Sequence, residues 1–164
     1  MHARVTMPIV AVGVTWWASA VLAVSPWSPH MRGQGAATPA AGNPARSVWD
    51  KVYSGAQAKR GQAMYLRECA PCHGDDLRGS GPAPALGPDD FLFLWENRTV
   101  GDLFERIRTR MPPDRPDSLP PEAYRDVVAF LLSASMFPAG EQDLDADAAG
   151  LQQIHIFAKP PSGR

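Results

Sequence analysis

The sequence predicts an all-α domain of about three main helices joined by long Gly/Pro-rich loops. Three observations carry that prediction. Apolar residues recur at helical spacing in three separate stretches, each stretch is bounded by capping or proline signals, and no βαβ pattern surrounds the paired cysteines. The 17 prolines and 14 glycines among 164 residues place the rest of the chain in irregular connections. With 45% hydrophobic and 20% charged residues, the composition fits one small domain with a core. A loop-rich domain of this size is marginal unless something other than side chains fills its centre.

The first helix is predicted over Ala56 to Cys69, with Ser54 before it as a cap. Gly61, Tyr65 and Cys69 lie four residues apart and share one face. A glycine inside a helix costs roughly 0.5–1 kcal/mol against alanine, so Gly61 is read as a place where another backbone comes close. The second helix is predicted from about Val100 to Arg110, opened by Thr99 with Asp102 three residues on, a relative of the capping box. Its inward face is Leu103, Phe104 and Ile107, and Met111 continues that stripe just where Pro112 and Pro113 end the helix. The third runs from Pro120 to Ser135, with Tyr124, Val127, Val128, Leu131 and Leu132 as its buried stripe. Phe91 to Trp95 is a short apolar run that suits either a buried strand or a single helical turn.

At the N-terminus, Arg4 precedes a charge-free run from Pro8 to Val24, followed within it by the small-residue sites Ala18-Ser19-Ala20 and Val21-Leu22-Ala23. Residues 1–24 therefore read as a signal peptide or, uncleaved, an N-terminal anchor at the lower length limit for a membrane span. Either reading puts the functional part outside the cytoplasm, in the periplasm, with a membrane tether in the second case. Residues 25–47 read as a flexible Pro/Ala/Gly-rich linker, 48–137 as the folded domain and 138–164 as a C-terminal tail. All 17 acidic residues lie after residue 47, against 13 of the 16 Lys and Arg, since Arg4, Arg32 and Arg46 precede it. That balance offers no basic field to attract nucleic acid.

Cys69-Ala70-Pro71-Cys72-His73 spells C-x-x-C-H, the string that attaches haem through two thioethers and sets a histidine under the iron. Three rival chemistries fit it less well. Thioredoxin-like exchange wants the pair at the start of a helix after a strand, whereas here a helix runs into it. Structural zinc wants four ligands, and His2, His30 and His155 lie in the predicted leader, linker and tail. A plain disulfide between the only two cysteines leaves His73 without a purpose.

The order of helix, C-x-x-C-H, irregular Gly/Pro-rich segment, helix, Met-Pro and closing amphipathic helix resembles a class I cytochrome c domain over roughly residues 48 to 137. Val48-Trp49-Asp50 through Tyr53, Cys69 to Gly74, and Leu103 to Pro113 are similar to the single-haem domains that accompany bacterial quinoprotein dehydrogenases. The resemblance implies a cytochrome c-like bundle wrapped around one covalently bound haem c, held through Cys69 and Cys72, with His73 and Met111 as the metal ligands. Met64 and Met136 are the rival sixth ligands. It further implies a proline carbonyl behind His73, for which Pro84 fits best while Pro82 stays open, and Leu86 packing on the porphyrin.

Trp95 carries an indole N–H that a haem propionate could accept, a packing role alone being the equal alternative, and Arg98 is a second candidate for the same group. Arg106, Arg108, Arg110 and Arg115 cluster around Met111, whereas Glu141, Asp143, Asp145 and Asp147 form an acidic patch. Such charges are either solvated faces or a device for steering an acidic redox partner, a rate effect that salt weakens. The function so implied is one-electron carriage between a redox protein donor and acceptor, one candidate partner being a quinoprotein dehydrogenase, and not catalysis by the domain itself. The alternatives are a haem sensor or small peroxidase with a labile sixth ligand, and a cytochrome subunit that docks on such a dehydrogenase through residues 138–164.

Overall fold

Six helices and one short parallel strand pair make up the described part of the chain. The structure is a computed structural model that describes residues 46–144 and 147–162. The predicted leader at 1–24, nearly all of the predicted linker and Asp145 lie outside the described residues. The helices are α1 (Gly55–Glu68), α2 (Ala70–His73), α3 (Pro88–Trp95), α4 (Val100–Arg110), α5 (Pro121–Ala134) and α6 (Ala148–Leu151). The strands are β1 (Arg46–Ser47) and β2 (Ile154–His155), paired so that Arg46 meets Ile154 and Ser47 meets His155.

α1 starts where the Ser54 hydroxyl accepts the Gln57 amide at 3.0 Å. It packs more extensively against α5 than any other pair of elements. Gly61 is what allows this. An added Cβ there would stand 1.8 Å from the Asp126 carbonyl oxygen on α5, so the two backbones touch where any side chain would hold them apart. The α5 stripe of Tyr124, Val127, Val128, Leu131 and Leu132 is buried, as its spacing predicts. α4 carries the full capping box, with the Asp102 amide on the Thr99 hydroxyl at 3.0 Å and the Thr99 amide on the Asp102 carboxylate at 3.1 Å. The Thr99 amide bond to the charged form, with side-chain hydrogen bonds from Thr99 and Gln152 adding to it, holds the Asp102 carboxyl below its ordinary pKa.

The apolar run at 91–95 is part of a helix. Gly87 and Pro88 open α3 one turn earlier than the hydrophobic residues, and proline is at home there because the first amides have no intrahelical acceptor. α3 turns Phe91 inward against Phe137, with ring centroids 6.3 Å apart. Phe93 on the opposite side is 89% exposed.

Residues after 137 are not a loose tail. Leu144, Leu151, Ile154 and Ile156 are buried in the same core as the helices. Gln57 exchanges two hydrogen bonds with the Leu144 backbone, at 2.6 and 3.3 Å. Asn97 and Arg98 pair with Ile156 through backbone bonds of 2.8 and 2.9 Å, and the Trp49 indole donates to the Phe157 carbonyl at 2.8 Å. This closing segment straps the α3–α4 turn to the start of the domain. The apolar residues of this segment are part of the protein's own core, while Glu141, Gln142, Gln153 and Lys159 stay exposed. Asp143 is engaged as well, with Ser54 and with Arg60 at 2.7 Å, and Asp147 caps α6, so the predicted acidic patch is largely local structure.

Candidate functional site

α1 delivers Cys69 at its C-terminal cap, and the single turn of α2 then carries Cys72 and His73 onto one side of a cleft of about 540 Å³. That lies within the range of roughly 300–1,000 Å³ typical of cofactor and ligand pockets. Leu86 and Pro84 line it from the irregular segment, Ile107 and Met111 from the end of α4, and Val127 and Leu131 from α5. Its walls are mostly aliphatic, which suits a flat apolar macrocycle better than a solvated substrate.

His73 is buried, and its Nδ1 donates to the Pro84 carbonyl at 2.9 Å. A carbonyl can only accept, so the ring proton sits on Nδ1 and the lone pair is left on Nε2. That is the arrangement a metal-binding histidine needs. Between the two prolines the sequence leaves open, the carbonyl bonded to the ring is that of Pro84. Gly79 makes it reachable: an added Cβ would stand 2.4 Å from the Ala83 carbonyl oxygen, at a φ of +73° that a side chain resists. The loop is folded back further by Gly79 donating to the His73 carbonyl at 2.8 Å and by Ser80 donating to the Cys72 carbonyl at 2.9 Å. Nothing in the spacing of the Gly/Pro segment foretells these contacts.

Both cysteines are unpaired. Burial, with the Glu68 charge adding to it, pushes the Cys69 thiol up to about 11, opposite to the low-pKa thiolate on which dithiol exchange depends. Among the described residues, no group of three or more His, Cys, Asp or Glu is placed to hold a metal ion.

Met111 lines the cleft at the C-terminal cap of α4, its amide on the Ile107 carbonyl at 2.8 Å. Tyr124, buried on α5, donates to the Met111 carbonyl at 3.4 Å and accepts the Leu119 amide at 3.3 Å. Its role was not legible in the sequence, where Tyr124 reads only as a member of an apolar stripe. Of the rival methionines, Met64 packs against the core on α1 and Met136 is 79% exposed beyond α5, and neither lines the cleft. Tyr65 backs the attachment turn by donating to the Gly74 carbonyl at 2.7 Å.

Trp95 is placed differently from the sequence expectation. It packs against the core, not among the residues lining the cleft, and Arg98 lies over its ring at 5.8 Å from the centroid. One turn of α3 separates Trp95 from Phe91, so both fall on the side that faces the core. The arginine cluster is also partly spent. Arg108 pairs with Glu105 and Asp117 at 2.9 and 3.0 Å, and Arg115 pairs with Glu68.

An all-α bundle in which C-x-x-C-H and a histidine with a held Nδ1 open onto an apolar cleft is the arrangement that a c-type cytochrome domain requires. Residues 56–131 match the family model described as "Cytochrome C oxidase, cbb3-type, subunit III". The chain is 32% identical over 82 residues to the cbb3-type cytochrome c oxidase subunit CcoP of Rubrivivax gelatinosus, covering 49% of this chain and 27% of that protein's length. Among solved structures, the sulfane dehydrogenase SoxCD of Paracoccus pantotrophus aligns with a TM-score of 0.44 and 22% identity, over 60% of this chain and 52% of that one. Over these residues the chain is similar to the cytochrome c domain of such subunits, which is consistent with a class I, single-haem type of domain serving electron transfer, and it spans about a quarter of the length of the CcoP relative.

Proposed function

We propose that this protein is a periplasmic one-electron carrier with one haem c, bonded to Cys69 and Cys72 and ligated by His73 Nε2 and Met111. The haem, when bound, supplies an iron that cycles between ferric and ferrous states. The protein's own residues do the rest. Pro84 fixes the proton of His73 on Nδ1, so that Nε2 points a lone pair into the cleft. Leu86, Ile107, Val127 and Leu131 keep water from the reacting centre, and Met111 offers a thioether from the wall that α4 and α5 build. A thioether in the sixth position favours ferrous iron and raises the reduction potential relative to two nitrogen ligands, which suits accepting electrons.

The observation that carries this reading is the hydrogen bond from His73 to Pro84 within a cleft that also contains both cysteines and Met111. The name of the Rubrivivax relative, an oxidase subunit, supports a donor and an acceptor that are themselves redox proteins, and a quinoprotein dehydrogenase is the partner that the sequence resemblance suggests. The apolar run at 8–24 supports export, with the domain starting near residue 46. Replacing Met111 with Ala is expected to abolish the sulfur-to-iron charge-transfer band of the ferric protein, lower the potential and open the iron to carbon monoxide in the ferrous state. If the band survived in that variant, the ligand assignment would be wrong. Rapid carbon monoxide binding by the unaltered ferrous protein would instead favour a sensor or peroxidase.

A further inference from the structure

The segment from Met111 to Leu119 is one wall of the cleft, and its polar contacts fall into two sets. One set ties it to the helices on its own side. Those are Met111 and Asp117 donating to the carbonyls of Ile107 and Arg108 at 2.8 and 2.9 Å, Tyr124 bonded to Met111 and Leu119, and Arg108 paired with Asp117 at 3.0 Å. The second set crosses to the other wall. It is the ion pair of Arg115 with Glu68, the residue immediately before Cys69 at the end of α1. Both partners line the cleft, with the Glu68 side chain 18% exposed and that of Arg115 47% exposed.

We propose that Glu68 and Arg115 form a latch across the cleft, with each acting as a positioning residue that keeps the Met111 wall closed against the attachment turn. The proposal rests on the reading of Met111 as the sixth ligand. An incoming ligand reaches the iron only when that wall swings away. α1 stays packed on α5 through Gly61, so the swing is a movement of the 111–119 segment away from α1, and whatever becomes of the first set the Glu68–Arg115 pair, which is the ion pair joining that segment to α1, must break. Its weaker neighbours, Arg67 at 4.0 Å from Glu68 and Asp114 at 3.8 Å from Arg115, lie on the same wall as their partners and so become the fallback contacts of the open state. The latch therefore sets how often the open state is populated, and the apparent affinity for an external ligand scales with that population.

The test is imidazole titration of the ferric holoprotein, comparing wild type with Glu68→Gln and Arg115→Gln and with the charge-swapped double variant Glu68→Arg/Arg115→Glu. Each single variant is expected to bind imidazole about two- to fivefold more tightly, the range that loss of a half-exposed ion pair implies, while keeping the charge-transfer band before imidazole is added. The swap is expected to restore the wild-type affinity, which a general loosening of the fold would not do. Unchanged affinity in both single variants, or no recovery in the swap, would overturn the latch. A wild-type protein without the band overturns the Met111 reading and the latch together. If Met111→Ala removes the band while Glu68→Gln leaves imidazole binding unaltered, the latch alone falls.

Discussion

Gly61→Ala is expected to lower the melting temperature of the holoprotein by on the order of 15 °C or more. On an ordinary helix the same change would stabilise, because alanine outranks glycine by about 0.5–1 kcal/mol. Here the added carbon would meet the Asp126 carbonyl oxygen at 1.8 Å and the Phe130 Cβ at 3.0 Å, where ordinary contact begins near 3.4 Å. Both helices must part, and neither obstacle is the far end of a flexible side chain. Overpacking of this kind costs roughly 1–3 kcal/mol and more when backbone has to move. A gain in stability, or a loss of only a degree or two, would show that α1 and α5 do not cross at Gly61. Thermal unfolding followed by circular dichroism reads the outcome.

Replacing Cys69 and Cys72 together with Ala is expected to abolish covalent haem and to leave a protein that does not fold cooperatively. The first effect follows from thioether attachment. The second follows from size. An enclosed void of about 540 Å³ would cost on the order of 10 kcal/mol, an upper bound for a cleft open on one side, against a total stability of about 5–15 kcal/mol for a domain. The apoprotein has no side chains to spare for filling that space. Retention of haem through denaturing electrophoresis by the double variant would contradict the attachment, and a sharp unfolding transition of the haem-free protein would contradict the second effect.

The helical frame was legible because it is written locally. Thr99 and Asp102 mark the start of α4, Pro112 and Pro113 its end, and the α5 stripe is strictly periodic, so predicted and observed limits agree within a residue or so. α3 was ambiguous because five apolar residues carry no period of their own, and its extra turn comes from Gly87 to Asp90, which read as loop. The closing segment was missed for a related reason. Leu144, Leu151, Ile154 and Ile156 are isolated apolar residues at irregular spacing, and they become core only by pairing with partners about fifty to ninety positions away, such as Asn97 and Gln57.

The site divides along the same line. Cys69, Cys72 and His73 are adjacent in the chain, and Met111 is singled out by the proline behind it, so sequence alone could bring them together. Pro84 could not be separated from Pro82, because the direction of a carbonyl in a glycine-rich loop depends on a turn at Gly79 that spacing does not specify. Trp95 was assigned by the chemistry of its N–H, but its position on α3 is decided by Phe91. Glu68 and Arg115 are 47 positions apart, and only the folded cleft puts them in contact.

Electron carriage by this domain requires the cleft to hold a covalent haem, and a pyridine haemochrome spectrum of the purified, exported protein tests that most directly. The expected result is one haem per chain with the spectrum of a porphyrin saturated at both thioether positions, not extracted by acidified organic solvent. A haem that extracts freely, or a protein that carries none after expression with the haem-attachment machinery, would contradict the assignment.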